Sequence, residues 1–177
     1  MRRDISRVLL ACIFLHVLSS VSSAYDLNSR YATIVYSSED YLRRFNKEIS
    51  LGSLAYLMSN KRGIMVTDEV RNKIDVIVER VETILEMFPK KMKFTIALLS
   101  SEDEVQDIYR KKYGRKVDFI AFYSPKDKTV FISVKDTELT VLAHEIAHAI
   151  IDFYYGMSTP AKIHEVLAQY VESHLKD

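Results

Sequence analysis

Cysteine is almost absent from this chain, which has a single one, Cys12, among its 177 residues. Cys12 lies within an apolar N-terminal run that we expect to be removed from the mature protein. Without it the mature chain has no disulfide bond and no thiolate for catalysis or metal binding. The sequence therefore excludes a disulfide scaffold and thiol chemistry.

An excess of charge of either sign is lacking as well. The chain has 25 Lys and Arg against 24 Asp and Glu, which gives a formal net charge of +1 at pH 7. Such a balance gives no reason to expect nucleic acid or an anionic membrane as a partner. The sequence also has no repeats, no low-complexity tracts and no long linkers. Residues 25–177 are therefore expected to form a single domain that can bury a hydrophobic core.

The first 24 residues have the pattern of a secretory signal peptide. Three arginines lie within residues 1–7, an apolar run follows at 8–18, and Ser22 and Ala24 supply small residues just before a cut. The apolar run has about eleven residues, whereas a spanning helix needs about twenty. We therefore expect cleavage before Tyr25, a secreted or periplasmic protein, and no stable membrane insertion afterwards.

The most informative stretch of the chain is His144-Glu145-Ile146-Ala147-His148. Residues four apart lie on one face of an α-helix, so His144 and His148 can direct their imidazoles to one metal ion. Glu145 directly follows His144, so its carboxylate can reach a water bound to that metal. Neutral imidazole is a good ligand for Zn²⁺, and a carboxylate can accept the proton of a water whose pKa zinc has lowered to about 7.

The same pentapeptide could instead belong to a buried helix whose histidines are hydrogen-bonded core residues. The flanking sequence favours the metal, because apolar residues leave this helix almost no solvated face: Val141, Leu142, Ile146, Ile150 and Phe153. Two histidines and a glutamate inside such a helix are costly without a partner. Coordination to a cation is one of the few ways to offset that cost.

A catalytic zinc ion needs a third protein ligand and an open position for water. Gly156 is expected to end the first helix, and Thr159-Pro160 is typical of the N-cap and first position of a second helix. This helix can fold back against the first, which would bring Glu165 near the two histidines. The adjacent His164 is the alternative ligand, since neighbouring helical residues point about 100° apart and only one can face the metal.

These two helices together resemble those of the gluzincin metallopeptidases, which carry two histidines and a glutamate base on one helix and a glutamate ligand on the next. The resemblance lies in HEIAHAIIDFYYG at 144–156 and PAKIHEVLAQY at 160–170. The second segment is similar to the P-x-W-x-x-E-G-L-A-x-Y pattern of many small members. Ile163 and Val166 differ from the aromatic residue and the glycine that are usual at or near those places.

The resemblance implies a set of roles for the site residues. His144, His148 and Glu165 would bind one Zn²⁺ per chain, with Glu165 favoured over His164, and Glu145 would act as the general base and acid. The resemblance also implies a Tyr or His that stabilises the oxyanion during attack on a peptide carbonyl. Tyr170 is our first candidate for that role, although core packing with a hydrogen-bonded hydroxyl is the competing interpretation.

Residues behind the ligands should orient them. Asp152, one turn after His148, could accept a hydrogen bond from an imidazole or support the second helix; alternatively, it could form a surface ion pair. Gluzincins often carry an acidic residue four positions after the glutamate ligand. Gln169 occupies that place here, and it can orient a ligand but supplies no charge.

The remaining pattern predicts an α+β fold, with a small mixed sheet packed on the buried zinc helix and on the helix of Glu165, as in zincins. We predict strands at 31–36 and 92–99, a turn at 59–63, and helices at 38–58, from Thr67 to Pro89 and from Ser101 to Gly114. Strands at 118–124 and 129–134, joined by Pro125-Lys126-Asp127-Lys128, are predicted to form a hairpin.

The hairpin has a predicted role in binding. In the enzymes that this chain resembles, a sheet edge above the metal binds the peptide substrate as an additional strand. Residues 119–123 are the candidate edge, and an ordinary core hairpin is the alternative. Residues 25–62, which end in the basic turn Asn60-Lys61-Arg62-Gly63, could also cover the cleft as an inhibitory segment.

These features favour an exported zinc endopeptidase that acts on a peptide or protein, with Glu145 activating the attacking water. The alternative is a non-catalytic zinc-binding or interaction protein that keeps the fold. The presence of Glu145 opposes this alternative, because a structural zinc site requires no base and usually has four protein ligands.

Overall fold

The computed structural model describes residues 24–58, 65–156 and 159–177. Residues 1–23 of the predicted signal peptide and the predicted turn at 59–63 lie outside these ranges. The described residues form an α+β fold whose strands are β1 (Tyr25–Asn28), β2 (Ala32–Tyr36), β3 (Phe94–Leu99), β4 (Ala121–Ser124) and β5 (Thr129–Ser133). The α-helices are α1 (Glu39–Glu48), α2 (Val66–Leu85), α3 (Glu102–Tyr113), α4 (Leu139–Tyr155) and α5 (Ala161–His174).

The five strands form one mixed sheet in the order β1-β2-β3-β5-β4. The three inner strands are parallel, and β1 and β4 are antiparallel to their neighbours. Successive side chains of a strand point to opposite faces, and in β3 the alternate residues Phe94, Ile96 and Leu98 are buried in the core. The predicted hairpin is confirmed as β4 and β5, and its first strand is an edge of the sheet.

Helices α3 and α4 cover opposite faces of the edge strand β4. The ring of Phe122 lies edge-on to Tyr109 of α3, with 5.0 Å between their centroids. The hydroxyl of the next residue, Tyr123, donates to Asp152 of α4. Because successive side chains of a strand point to opposite faces, the two helices lie on the two sides of β4. All four residues of β4 are buried, although its outer edge pairs with no other strand among the described residues.

The predicted helix at 38–58 is wrong in its middle. Helix α1 ends at Glu48, and a separate 3-10 helix spans Gly52–Met58. The backbone leaves the helical conformation at the C-cap Ile49, which has ψ 88°, and Gly52, the first residue of the 3-10 helix, has φ +53°, a conformation that glycine tolerates. In addition, Lys73 of α2 donates to the carbonyl oxygens of Asn46 and Ile49 at 2.7 and 3.0 Å, which caps α1 from outside its own sequence.

Other element boundaries differ by a few residues. Helix α2 has Met65, not Thr67, at its N-cap, and it ends before Pro89 because Glu86 adopts φ +56°. Pro160, not Thr159, is the N-cap of α5. Strand β1 was missed, since only Leu27 of its four residues is buried and no alternation is visible. The predicted bounds of α3, with Ser101 and Gly114 as its caps, are confirmed.

Helix α5 is anchored at its C-terminal end by Arg80 of α2. The guanidinium donates to the carbonyl oxygens of His174, Leu175 and Asp177 at 2.9, 3.3 and 3.0 Å. These acceptors lie in the last turn of α5 or just beyond it, where carbonyls lack partners within the helix. Over the described ranges, none of the helices has the length and apolar character that crossing a membrane would require.

Candidate metal centre

Helix α4 carries two histidines on a single face. Their Nε2 atoms are 3.1 Å apart, and both rings are largely buried, with 16% and 13% of the side chains of His144 and His148 exposed. The rest of the helix is fixed by apolar burial, which includes Leu142, Ile146 and Ile150 at 0% exposure. The ring positions therefore follow from the core packing of α4.

Helix α5 folds back against α4 and brings Glu165 to the histidines. Its carboxylate oxygens lie 3.6 Å from Nε2 of His144 and 3.5 Å from Nε2 of His148. Zinc bonds of about 2.0–2.2 Å in tetrahedral geometry place neighbouring ligand atoms about 3.3–3.6 Å apart. The donor set His144, His148 and Glu165 has nearly this spacing, so these residues fit a zinc ion.

The electrostatics of the histidines also suit a metal. Burial, and then the neighbouring His144 and His164, lower the pKa of His148 to about 3. A neutral imidazole can bind a cation through Nε2, whereas a protonated one cannot. Nε2 of His148 lies close to the other two ligand atoms, Nε2 of His144 and a carboxylate oxygen of Glu165. His164, the alternative ligand, is not part of the group that could hold a metal; its ring stacks on the ring of His148 at a centroid distance of 5.7 Å and an interplanar angle of 27°.

The carboxyl group of Glu145 lies beside this cluster and is 8% exposed. Burial is the main cause that raises its pKa to about 8; the backbone N–H of Tyr123 lowers it, and Glu165 and Glu172 raise it further. In the absence of a metal, the group is thus mostly protonated at neutral pH. A divalent cation at the three ligands would shift the equilibrium toward the carboxylate.

This raised pKa predicts how the stability of the metal-free protein depends on pH. The folded state holds the Glu145 proton more tightly than the unfolded chain, so the stabilisation is complete below about pH 4.5 and is lost as the pH rises through about 8. We expect metal-free Glu145→Gln to lack this loss. Urea unfolding of EDTA-treated wild type and variant at pH 5 to 9 would measure it, and a constant difference between the two across that window would contradict it.

Glu172 is a site residue that the sequence reasoning missed. Its Oε1 lies 2.5 Å from Nδ1 of His144, although it is out of line with the ring N–H, so the contact is electrostatic rather than a regular hydrogen bond. Glu172 is seven residues after Glu165, two helical turns along the same face of α5. That spacing was the available signal, whereas the family pattern pointed to Gln169, which is exposed.

We expect Glu172→Gln to weaken zinc binding about 10- to 100-fold, the usual effect of losing a carboxylate behind a histidine ligand. Removing this negative charge from beside Nδ1 makes Nε2 of His144 a weaker electron-pair donor to zinc. Competition with a fluorescent zinc chelator would give the dissociation constants. Gln169→Ala, on the same helix, is the control, and equal affinities for the two variants would show that Glu172 has no such role.

Among the described residues, no imidazole donates a hydrogen bond to Asp152, although its charge raises the pKa of His164 against the lowering by burial. Its carboxylate is buried, with 1% of the side chain exposed, and it accepts hydrogen bonds from the Tyr123 hydroxyl at 2.7 Å and from Nζ of Lys128 at 2.5 Å. Asp152 therefore forms an ion pair with Lys128, as one of the two interpretations predicted, but its carboxylate is buried rather than on the surface. The pair connects α4 to the hairpin.

A cleft of about 670 Å³ lies over these residues. One wall is formed by the segment 118–123 and by Tyr109 behind it, the floor by α4, and the other wall by α5. Phe119 is 45% exposed at one end of the cleft. Residues 119–123, the candidate edge, thus border the cleft, but the strand is shorter than predicted because β4 begins at Ala121.

Two other predicted residues or segments are not at the cleft. Residues 25–58, the described part of the proposed inhibitory cover, contribute Ile34, Leu42 and Phe45 to the core and none of the cleft lining. Tyr170 is 47% exposed, and its ring lies against His174 at 4.0 Å rather than in the cleft. Neither position supports the predicted role.

The chain matches no protein-family model, no curated protein and no solved structure. The geometry of the site and the resemblance of its two helices are therefore what bear on function.

Proposed function

We propose that this protein is a zinc endopeptidase with a gluzincin-like, zincin-type arrangement of its two site helices. One observation carries the proposal: the nitrogen and oxygen atoms of His144, His148 and Glu165 have the spacing of zinc ligands, and a buried carboxyl group, Glu145, lies beside them in an open cleft. A purely structural zinc site has no use for that carboxyl group.

The chemistry follows from these residues. Zinc, when bound, would lower the pKa of a water and polarise a substrate carbonyl. Glu145 would accept the proton of the attacking water and later deliver it to the leaving amine, since a carboxyl group whose pKa lies near neutrality can do both. The low exposure of Glu145 keeps bulk water away and strengthens its interactions with the reacting groups.

The substrate would bind in extended form along the outer edge of β4. Ile120 accepts a hydrogen bond from Ser133, so its carbonyl faces β5. Backbone groups alternate in direction along an antiparallel strand, and those of Ala121 and Tyr123 therefore face outward. The carbonyl and N–H of Ala121 are then available to an added peptide strand, which binds main chain with little side-chain selection.

His164 is our candidate for the residue that stabilises the oxyanion. It lines the cleft, it stacks on a ligand, and burial lowers its pKa, which favours the neutral ring. A neutral imidazole can still donate one N–H to a developing negative charge. The structure gives Tyr170, our first candidate, no comparable position.

We also propose that the protein is exported, with residues 1–24 removed as a signal peptide; N-terminal sequencing of the mature protein would show this. To test the activity, purified residues 25–177 would be assayed for metal content and for cleavage of a diverse peptide library read by mass spectrometry. We expect one zinc per chain and products cut at internal bonds. Bound zinc without any cleavage would instead support a non-catalytic zinc protein, and an absence of zinc would refute both.

A further inference from the structure

Tyr123 of β4 is hydrogen-bonded to α4 at Asp152 and lies near Glu145, two helical turns earlier in the same helix. Its side-chain hydroxyl donates to Asp152 at 2.7 Å, and its backbone N–H lies near enough to the carboxyl group of Glu145 to lower the pKa of that group. Glu145 and Asp152 are seven residues apart and so lie along one side of the helix. One residue of the edge strand therefore spans the stretch of α4 that carries His148.

The contact at Asp152 is a buried, hydrogen-bonded ion pair. The carboxylate is almost completely buried, and a buried charge is costly unless it is paired and hydrogen-bonded. Two donors satisfy it here, the hydroxyl of Tyr123 and Nζ of Lys128, and the same ammonium lies 4.8 Å from the ring centroid of Phe153. Burial together with Asp152 raises the pKa of the Tyr123 phenol, so the hydroxyl keeps the proton that it donates.

Lys128 extends this contact to the turn of the hairpin. It has φ +51°, in the left-handed region, and it directly precedes β5. The edge strand and the turn that follows it are thus joined to α4 through a single carboxylate. Since no further strand pairs with the outer edge of β4 among the described residues, these contacts help to set the distance between the strand and the helix.

We propose that Tyr123, Asp152 and Lys128 form a positioning device that fixes the edge strand over the reaction centre. The proposal rests on the proposed peptidase function, in which the strand holds the substrate and α4 holds the base. A shift of the strand would move the substrate carbonyl relative to Glu145, and a misplacement of about 1 Å can cost about 100-fold in rate. None of the three side chains needs to touch the reacting atoms; each acts through the position of β4.

The test compares Tyr123→Phe with Tyr113→Phe in the zinc-loaded protein. Tyr113 is a matched control because its hydroxyl lies 3.0 Å from Ser124 Oγ, so this variant also removes a hydrogen bond to β4, but on the face away from α4. We expect Tyr123→Phe to retain one zinc per chain and to lower kcat about 10- to 100-fold. We expect Tyr113→Phe to stay within about threefold of wild type. Loss of folded protein alone would instead lower zinc content and kcat in the same proportion.

A second readout does not depend on activity. In wild type, the amide hydrogen of residue 123 should exchange more slowly than is usual for an N–H on an unpaired strand edge. In Tyr123→Phe it should exchange about tenfold faster or more. If wild type cleaves nothing, the proposed function fails, while exchange still decides whether the contact holds the strand. If Tyr123→Phe does not fold, Lys128→Met replaces it, since it removes the charge and keeps the length of the side chain. Exchange and kcat equal to those of Tyr113→Phe would overturn the proposal.

Discussion

Glu145→Gln is expected to lower kcat by about 10²- to 10⁴-fold, the usual contribution of a positioned general base. The amide has nearly the shape of the carboxyl group but cannot accept the proton of the attacking water. Because Glu145 is not one of the three ligands, the variant should keep one zinc per chain. The measurements are kcat on a peptide that wild type cleaves and metal content by mass spectrometry.

The control for this variant is Glu138→Gln. Glu138 is exposed, precedes α4 by one residue and makes no side-chain capping hydrogen bond, so the same chemical change there should leave kcat and zinc content unaltered. If Glu145→Gln retained the wild-type rate with zinc bound, Glu145 would not be the base. The proposed mechanism would then be wrong, even though the metal site would stand.

His148→Ala should abolish zinc binding and, with it, the stabilisation that zinc gives to the fold. His148 supplies a buried nitrogen 3.1 Å from that of His144, and two remaining ligands do not hold zinc as three do. At a free zinc concentration about 1,000 times the dissociation constant, binding contributes about 4 kcal/mol to the wild-type free energy of unfolding. The variant should therefore melt at the same temperature with zinc or with EDTA, whereas wild type should melt at a higher temperature with zinc.

His164→Ala is the matched comparison, since His164 stacks on His148 and was the rival of Glu165 as third ligand. We expect His164→Ala to keep its zinc and its zinc-dependent rise in melting temperature, whereas Glu165→Ala should lose both. The reverse pattern would make His164 the ligand and would remove Glu165 from the site.

The local part of the site could be predicted from the sequence, because its geometry is that of a single helix. His144, Glu145 and His148 acquire their relation from the 3.6-residue repeat of α4 alone. Glu165 required one further assumption, that the next helix folds back, and the structure brings it to the two histidines. The roles of these residues in catalysis stay predictions until zinc and cleavage are measured.

The tertiary part could not be predicted, since it depends on contacts between distant segments. Asp152 accepts hydrogen bonds from Tyr123 and Lys128 rather than from an imidazole. Both donors lie outside α4, so the sequence pattern of that helix gives no indication of them. Where the predicted helix at 38–58 is interrupted, the carbonyl groups of Asn46 and Ile49 accept hydrogen bonds from Lys73, which lies more than twenty residues after them in the chain. Glu172 follows from the helical repeat of α5, which places it two turns after Glu165, whereas the family pattern indicates position 169.

The anchoring of α5 by Arg80 has a consequence for the apparent affinity of the metal site. Glu165 and Glu172 both lie on α5, so the site is complete only in the fraction of molecules in which this helix is docked. The observed dissociation constant for zinc is the intrinsic constant divided by that fraction. Arg80, which holds the C-terminal end of the helix through three carbonyl groups and is not one of the three ligands, therefore contributes to zinc affinity.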